Sequence, residues 1–292
     1  MLGVIIVAYK NPVRTADYIN SQLSKLVNGY IVVVVNNAST MAECESLALL
    51  CNGVACEAND KVGQHNVYII HSSENLGFAR GNNLGVSFLA QNNPCEFLLF
   101  SNDDIILDTG TDLQPMINLL CKDKSIGAIG PNIVDLDGLP QSPHYHIISP
   151  YRQIGWILLS RFRKRKKEKD TSAQIRIAHE GKCYWVSGAF FLMSNEDFAS
   201  VNGFDSDTFL YTEEAILAER LKIIDKQMYF YPGIKIVHLE GGTTKENYNR
   251  ADIRKIMVNS NCVYYRKYLK IPYPVVEFYR WLSFQRLDKA NK

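Results

Sequence analysis

The chain predicts an α/β fold on a mostly parallel, Rossmann-like central sheet flanked by helices, and three observations carry that expectation. Short runs of β-branched and apolar residues alternate with helix-length segments through the first third of the sequence. The runs are apolar throughout rather than alternating, as strands covered on both faces require. The 292 residues, 47% hydrophobic and 21% charged, are enough for one large buried core and exclude disordered, fibrous and disulfide-stapled classes.

Leu2 to Ala8 (LGVIIVA) predicts a buried first strand, and Arg14 to Leu26 follows with apolar positions near helical spacing. Ile31 to Val35 (IVVVV) predicts a second strand, Met41 to Leu50 a helix, and Val67 to His71 (VYIIH) a third strand. Phe78 to Ala90 reads as a helix and Phe97 to Phe100 (FLLF) as a fourth strand. Beyond Pro131 the pattern loosens through a polar stretch, 137–180, and resumes at Cys183 to Met193 as a strand-like segment interrupted by Gly188. A helix capped by Asn195 is expected to end by Gly203. Another, Glu213 to Ile224, opens with two acidic residues that suit its N-terminal dipole. Ile234 to Leu239 predicts a last short strand, and the tail from Asn247 has helical character.

The net charge of +2 conceals an uneven distribution. Arg161 to Lys169 (RFRKRKKEK) holds seven basic residues and one acidic, and Lys245 to the end holds eleven and four. The remainder carries 14 basic and 25 acidic residues. Such an acidic body suits nucleic acid poorly. A solvated loop is the plain reading of 161–169, and attraction to anionic lipid headgroups is the functional one. Over 263–286, Tyr, Phe and Trp interleave with Arg and Lys as in interfacial helices. Seven scattered cysteines, without a CxxC pair or zinc-spaced histidines, predict reduced thiols. With no signal-like N-terminus and no run near the ~18 apolar residues of a spanning helix, the expectation is a cytoplasmic protein, with peripheral contact at the inner face of the cytoplasmic membrane left open.

Ligands of doubly wound sheets bind beyond the carboxyl ends of the strands, so the loops there matter most. After the first strand, Tyr9-Lys10-Asn11-Pro12 contains no glycine, so the GxGxxG turn of dinucleotide folds is absent, as is any GxxxxGK[ST] phosphate loop. The small polar run Asn36-Asn37-Ala38-Ser39-Thr40 suits hydrogen bonding to a base or ribose, or a simple turn into a helix cap. The fourth strand ends in Ser101-Asn102-Asp103-Asp104. Paired carboxylates repel unless a cation or basic group sits between them, and oxygen ligands favour Mg or Mn.

IIVAYKN, VVVVNNAST, NLGFARGNN, LLFSNDD, WVSGAFFL, NGFDSDTFLYTEEAILAERL and VHLEGGT occur in this order over residues 2 to about 245. Together they resemble family 2 glycosyltransferases with a GT-A fold, in particular the rhamnosyltransferase-like branch of bacterial surface polysaccharide synthesis. The resemblance implies inverting sugar transfer from a nucleoside-diphosphate donor, dTDP-rhamnose or a UDP-hexose, to a hydroxyl of a glycan or lipid-linked glycan, with Mn or Mg as cofactor. It implies a catalytic domain over 1–245, with a nucleotide-sugar half (1–110) and an acceptor half (111–245, with a variable insertion at 137–180). A basic helical extension, 246–292, follows.

By the same resemblance Tyr9, Asn11, Asn36 and Asn37 face the base, and Arg80 and Asn83 lie near the ribose or phosphates. Many relatives have Asp where this chain has Asn36. Asn102-Asp103-Asp104 matches the family's metal motif, with Asp104 as first ligand and Asn102 binding through its carbonyl or water. Asp103 is grouped with the donor-binding residues, and His238 resembles the histidine that completes the shell in some members. Glu213-Glu214 takes the place of the family's ED motif, and Glu214, at the Asp position, is the expected base, with Glu213 as the alternative. Trp185, Gly188 and Asp205 are expected at the acceptor. Two rival functions share such a core: a nucleotidyltransferase, whose Gly-rich loop YKNP does not supply, and a non-catalytic sugar-nucleotide or glycan-binding module.

Overall fold

The computed structural model describes residues 1–159, 178–239 and 247–290, the last four as backbone alone. The basic run 161–169 lies outside the described residues, as do Glu240 to Thr243 of the VHLEGGT segment.

The apolar runs form the strands expected of them: β1 (Leu2–Tyr9), β2 (Tyr30–Asn37), β4 (Val67–Ser72) and β5 (Phe97–Ser101), with a short β3 (Val54–Cys56) at the edge. Ten strands make one sheet in the order β3-β4-β2-β1-β5-β9-β7-β10-β6, with β8 paired to β10. The added strands are β6 (Ile105–Ile106), β7 (Ile126–Val134), β8 (Gly181–Cys183), β9 (Phe190–Ser194) and β10 (Gln227–His238). The five strands from β3 to β5 run parallel, and β9 lies antiparallel between β5 and β7.

Strand alternation divides the core in two. Val4, Ile6, Val32, Val34 and Leu99 face α1 (Pro12–Asp17), α2 (Met41–Leu50) and α4 (Gln114–Lys122). Ile5, Val33, Val35, Leu98 and Phe100 face α3 (Gly77–Asn92), α6 (Asn195–Ser200) and α7 (Glu213–Ile223). A third cluster joins Ala215 and Ile216 of α7 to α8 (Arg250–Lys267) and α9 (Tyr273–Ala290). A further helix, α5 (Pro150–Leu159), packs on α9.

Several expectations are corrected. The first helix ends at Asp17 and continues as a wider π turn, Tyr18–Gln22, and a 3-10 turn, Leu23–Lys25, so that the consecutive Tyr18 and Ile19 both reach the core. The last strand is twelve residues long. Its first half was hidden by Pro232-Gly233, which sit in a register shift between Tyr231 and Lys235. Cys183 to Met193 is two strands separated by a loop rather than one interrupted strand. Ser194, not Asn195, caps α6 by accepting from the Asp197 N–H, and the Asn195 amide donates to the Cys95 carbonyl. All seven cysteines are free thiols, six of them buried. Among the described residues, no helix is long and apolar enough to cross a membrane.

Candidate active site

At the carboxyl ends of β1, β2 and β5 the sheet opens into a cavity of about 770 Å³. Ten of the residues singled out from the sequence line it: Tyr9, Asn37, Asn102, Asp103, Asp104, Trp185, Gly188, Glu213, Glu214 and His238.

One cluster arises from strand pairing. β6 pairs antiparallel with the end of β10, setting His238 opposite Ile105 and beside the turn that follows β5. His238 Nε2 lies 3.1 Å from Asp104 Oδ1 and 3.5 Å from Asn102 Nδ2. The other ring nitrogen, Nδ1, is 2.7 Å from Gln141 Oε1. That carbonyl accepts the Nδ1 proton and leaves Nε2 as the unprotonated nitrogen of the neutral ring, in reach of the Asn102 amide. The Nε2 contact is close enough for an ion pair when His238 is charged, but its direction is not that of a hydrogen bond, and Asp104 Oδ1 is buried with no donor. Burial pushes the Asp104 carboxyl up, but His238 and then Arg14 outweigh it and hold the group below the ordinary carboxylate range.

A buried, ionised oxygen facing an imidazole nitrogen fits a divalent cation between them, and Asn102 adds a carbonyl once its amide is rotated. Among the described residues no group of three or more His, Cys, Asp or Glu is placed to hold a metal ion by itself, so the protein would fill only part of the shell. Such partial coordination suits a Mg or Mn ion shared with substrate phosphates. Asp103 lines the same floor, but its oxygens are taken by α1: Arg14 Nε donates at 3.2 Å and Thr15 Oγ1 at 2.7 Å. Burial raises the Asp103 carboxyl in spite of Arg14 and Thr15.

The antiparallel pairing of β9 with β5 brings the loop before β9 to the same place, where the Asn102 N–H donates to the Ala189 carbonyl at 2.9 Å. In this loop the Gly188 N–H donates to Glu214 Oε1 at 2.9 Å, and a Cβ on residue 188 would stand 2.2 Å from that oxygen. The Glu214 side chain lines the cavity and is not fully buried. Glu213 is buried beside it with Oε1 unpartnered. Burial raises both carboxyls; for Glu213 the charge of Glu214 adds to it, whereas for Glu214 its own N–H and that of Gly188 oppose it. Glu214 keeps some access to the cavity and is the more readily ionised of the two.

The pair is presented by unusual backbone. Tyr211 and Thr212, neither of them glycine, take φ of 72° and 75° just before α7. Thr212 Oγ1 donates to Asn261 Oδ1 at 2.9 Å, and Asn261 Nδ2 donates to Tyr279 OH at 3.1 Å, so α8 and α9 hold this corner. Beside it the rings of His144 and Trp185 stack at 3.5 Å and 10°, and Trp185 Nε1 is buried without a partner. Burial holds His144 below its ordinary value, despite the Gln141 carbonyl.

At the other end Tyr9 and Tyr248 lie near-parallel, with ring centroids 6.3 Å apart, and Asn75 Nδ2 donates to Tyr248 OH at 2.9 Å. Asn37 accepts from the Leu76 N–H at 3.3 Å. Gln141, His144, Tyr248 and Asn261 were not found from the sequence. The first two sit in the stretch without motifs, and the last two in the tail beyond them.

Five expected residues lie outside the cavity lining. Asn11 caps α1 by accepting from the Arg14 N–H. Asn36 points to the opposite face of β2 from Asn37 and meets Cys44 Sγ at 3.5 Å. Arg80 is an exposed partner of Glu74 at 3.5 Å. Asn83 clamps Phe204, donating to its carbonyl and accepting from its N–H, both at 2.9 Å. Asp205 accepts from Tyr268 OH at 2.7 Å and from Lys267 at 3.2 Å. Burial pushes the Asp205 carboxyl up, but hydrogen bonds from the Asp207 N–H, Tyr268 and Lys267 hold it below the ordinary range.

Residues 3–182 match the profile of glycosyl transferase family 2. Rhamnosyltransferase WbbL of Escherichia coli (strain K12) is 30% identical over 67 residues, 23% of this chain and 25% of that protein. The N-acetylglucosaminyl-diphospho-decaprenol L-rhamnosyltransferase of Mycobacterium tuberculosis is 24% identical over 187 residues, 61% of each chain. The chain thus spans under two thirds of the length of either relative. Among solved structures, a mannosyltransferase from Pyrobaculum calidifontis, in complex with GDP-Man and Mn2+, superposes over 99% of this chain and 73% of its own, at 12% identity and a TM-score of 0.55. GalNAc-T7 with UDP, GalNAc and Mn2+ superposes over 90% of this chain and 47% of its own, at 14% identity and a TM-score of 0.54. These likenesses show the GT-A fold. With its profile matching well over half of the sequence, the chain belongs to glycosyl transferase family 2.

Proposed function

We propose that this protein is an inverting, metal-dependent glycosyltransferase that moves a sugar from a nucleoside diphosphate to a hydroxyl of a glycan or lipid-linked glycan. The observation that carries this reading is the convergence of two built features on one cavity: the Asp104–His238 pair and the Glu214 carboxylate anchored by Gly188. Four buried polar atoms without partners, Asp104 Oδ1, Gln141 Nε2, Trp185 Nε1 and Glu213 Oε1, surround that cavity. Orphaned groups of this kind are rare unless a ligand satisfies them.

In the proposed reaction the acceptor oxygen attacks the anomeric carbon, and its proton passes to the Glu214 carboxylate. The bond from the anomeric carbon to the phosphate oxygen breaks on the opposite side, and the nucleoside diphosphate leaves with the electron pair. Asp104, His238 and Asn102 would hold a divalent cation, which would supply positive charge to the phosphates of the leaving group. Tyr9, Asn37, Asn75 and Tyr248 frame the base and ribose, and the His144–Trp185 stack offers a flat apolar wall to the acceptor sugar.

A rhamnosyl donor and a lipid-linked acceptor are the first pair to try, because the two relatives are named as rhamnosyltransferases and one for a diphospho-decaprenol substrate. The test is thermal stabilisation by dTDP-, UDP- and GDP-sugars with Mn or Mg, followed by an assay for donor hydrolysis and transfer. Metal-dependent stabilisation by one donor, with turnover, supports the reading. Binding with no hydrolysis or transfer to any acceptor would favour a non-catalytic module.

A further inference from the structure

Helices α5 and α9 pack side by side and leave large aromatic side chains in solvent. Trp156 and Leu159 of α5 are 54% and 62% exposed, and Phe278 and Trp281 of α9 are 44% and 55% exposed. Phe278 and Trp281 stack on the outer face of α9, with ring centroids 6.0 Å apart. Cations border these rings. The Arg286 guanidinium lies 4.3 Å from the Trp156 ring, and that of Arg266 lies 5.0 Å from the exposed ring of Tyr273 at the α8–α9 turn. Residues 247–286 carry eight basic side chains against two acidic ones, on a molecule whose body is acidic.

Exposed aromatics framed by arginine and lysine are the composition of a surface that sits among lipid headgroups, with rings at the acyl boundary and cations on phosphates. No described helix is long and apolar enough to cross a bilayer, so the face would rest on the membrane and not span it. Its position also relates to the cavity. A groove of about 400 Å³ along α5 is lined by Ile147, Ile148, Arg152, Gln153 and Trp156, and Ile148 and Gln153 line the central cavity as well. Trp156 is therefore linked, through this groove, to the mouth of the site.

We propose that the α5–α9 face docks on an anionic lipid bilayer, with Trp156, Phe278 and Trp281 entering the headgroup region and Arg266 and Lys270, both exposed at the α8–α9 turn, meeting anionic headgroups. The bilayer is favoured over a protein partner because the exposed rings of Trp156 and Tyr273 are each bordered by an arginine, in a part of the chain where basic residues outnumber acidic ones. This inference stands apart from the transfer chemistry and is tested without it.

The experiment is flotation of the full chain with phosphatidylglycerol–phosphatidylethanolamine vesicles, against phosphatidylcholine alone, across a salt series. Tryptophan quenching by brominated acyl chains is recorded on the unmodified protein. The expected result is binding to the anionic vesicles that weakens with salt, together with quenching, since two of the three tryptophans lie on this face. The triple variant W156Q/F278Q/W281Q should bind at least about tenfold more weakly. R266E/K270E should lose about fivefold or more per cation removed. Both variants should keep the thermal unfolding profile of the parent. Absence of binding at low salt, unquenched tryptophans, or full binding by a folded triple variant would overturn the proposal. So would a lipid-independent dimer that the triple variant dissociates, because a second copy would then be the occupant of this face.

Discussion

The backbone N–H of Gly188 holds Oε1 of Glu214 at 2.9 Å, in space that any side chain at position 188 would occupy. The loop before β9 and the first turn of α7 are far apart in sequence, and this bond locks them together. A Cβ at 188 can be accommodated only by swinging the carboxylate away. We expect G188A to lower sugar transfer at least about 100-fold, the scale of a lost general base, while leaving donor binding intact. Full turnover in G188A would show that the anchored position of Glu214 is not the working one.

The two adjacent glutamates should respond differently to their amides. Burial, and then the charge of Glu214, raise Glu213 well above 4.5. A folded-state value above the unfolded one stabilises fully below the unfolded value and loses that contribution as pH rises through the folded one. E213Q mimics the protonated acid, so it should raise the melting temperature by about 2–4 °C at neutral pH, with the gain vanishing below pH 4.5. E214Q should cost about 10²- to 10⁴-fold in turnover. In the parent enzyme activity should fall as pH drops through a value above 4.5, the raised ionisation of Glu214. Equal losses in the two variants would argue against Glu214 as the sole base.

Gln141 fixes the ring of His238 through the 2.7 Å contact at Nδ1. Q141L should weaken Mn binding in the presence of nucleoside diphosphate about 10- to 100-fold, and D104A should abolish it. Isothermal titration with and without the metal separates this from nucleotide affinity, which should change little in metal-free buffer for Q141L.

Asn261 satisfies both Thr212 and Tyr279 in a buried position. N261A leaves two buried hydroxyls short of a partner and should cost about 1–3 kcal/mol. Denaturant unfolding would measure the loss, and a cost below about 0.5 kcal/mol would mean that water or repacking replaces the amide.

Arg80 and Asn83 should separate from the donor site. R80A removes an exposed side chain outside the cavity and should change donor affinity less than about twofold. N83A breaks the clamp on Phe204 and should destabilise the fold by about 1–3 kcal/mol, with no direct effect on nucleotide affinity once folded.

The central strands and the helices between them were legible because an apolar run buried on two faces is written in consecutive residues. The carboxylates after β5 and the glutamates opening α7 were legible because motif order is linear. What could not be read depended on partners distant in the chain. Asn36 and Asn37 look equivalent in sequence, yet strand alternation sends one beneath α2 and the other to the cavity. Arg80 and Asn83 lie in a recognised segment, but outside the cavity lining: Arg80 meets Glu74 at the surface and Asn83 holds the Phe204 backbone. Gln141 and His144 carry no motif, and Tyr248 and Asn261 lie in a tail whose composition signalled charge and aromatics.

The sequence by itself determined the α/β class and the parallel half of the sheet, since these depend on local periodicity, and its motifs pointed to the residues proposed for metal and base. Only the tertiary structure decided which carboxylates remain available. Arg14 and Thr15 take up Asp103, the β6–β10 pairing sets His238 against Asp104, and Gly188 leaves room for Glu214. Availability is a matter of burial and of the geometry between distant segments, and neither is carried by the order of residues along the chain.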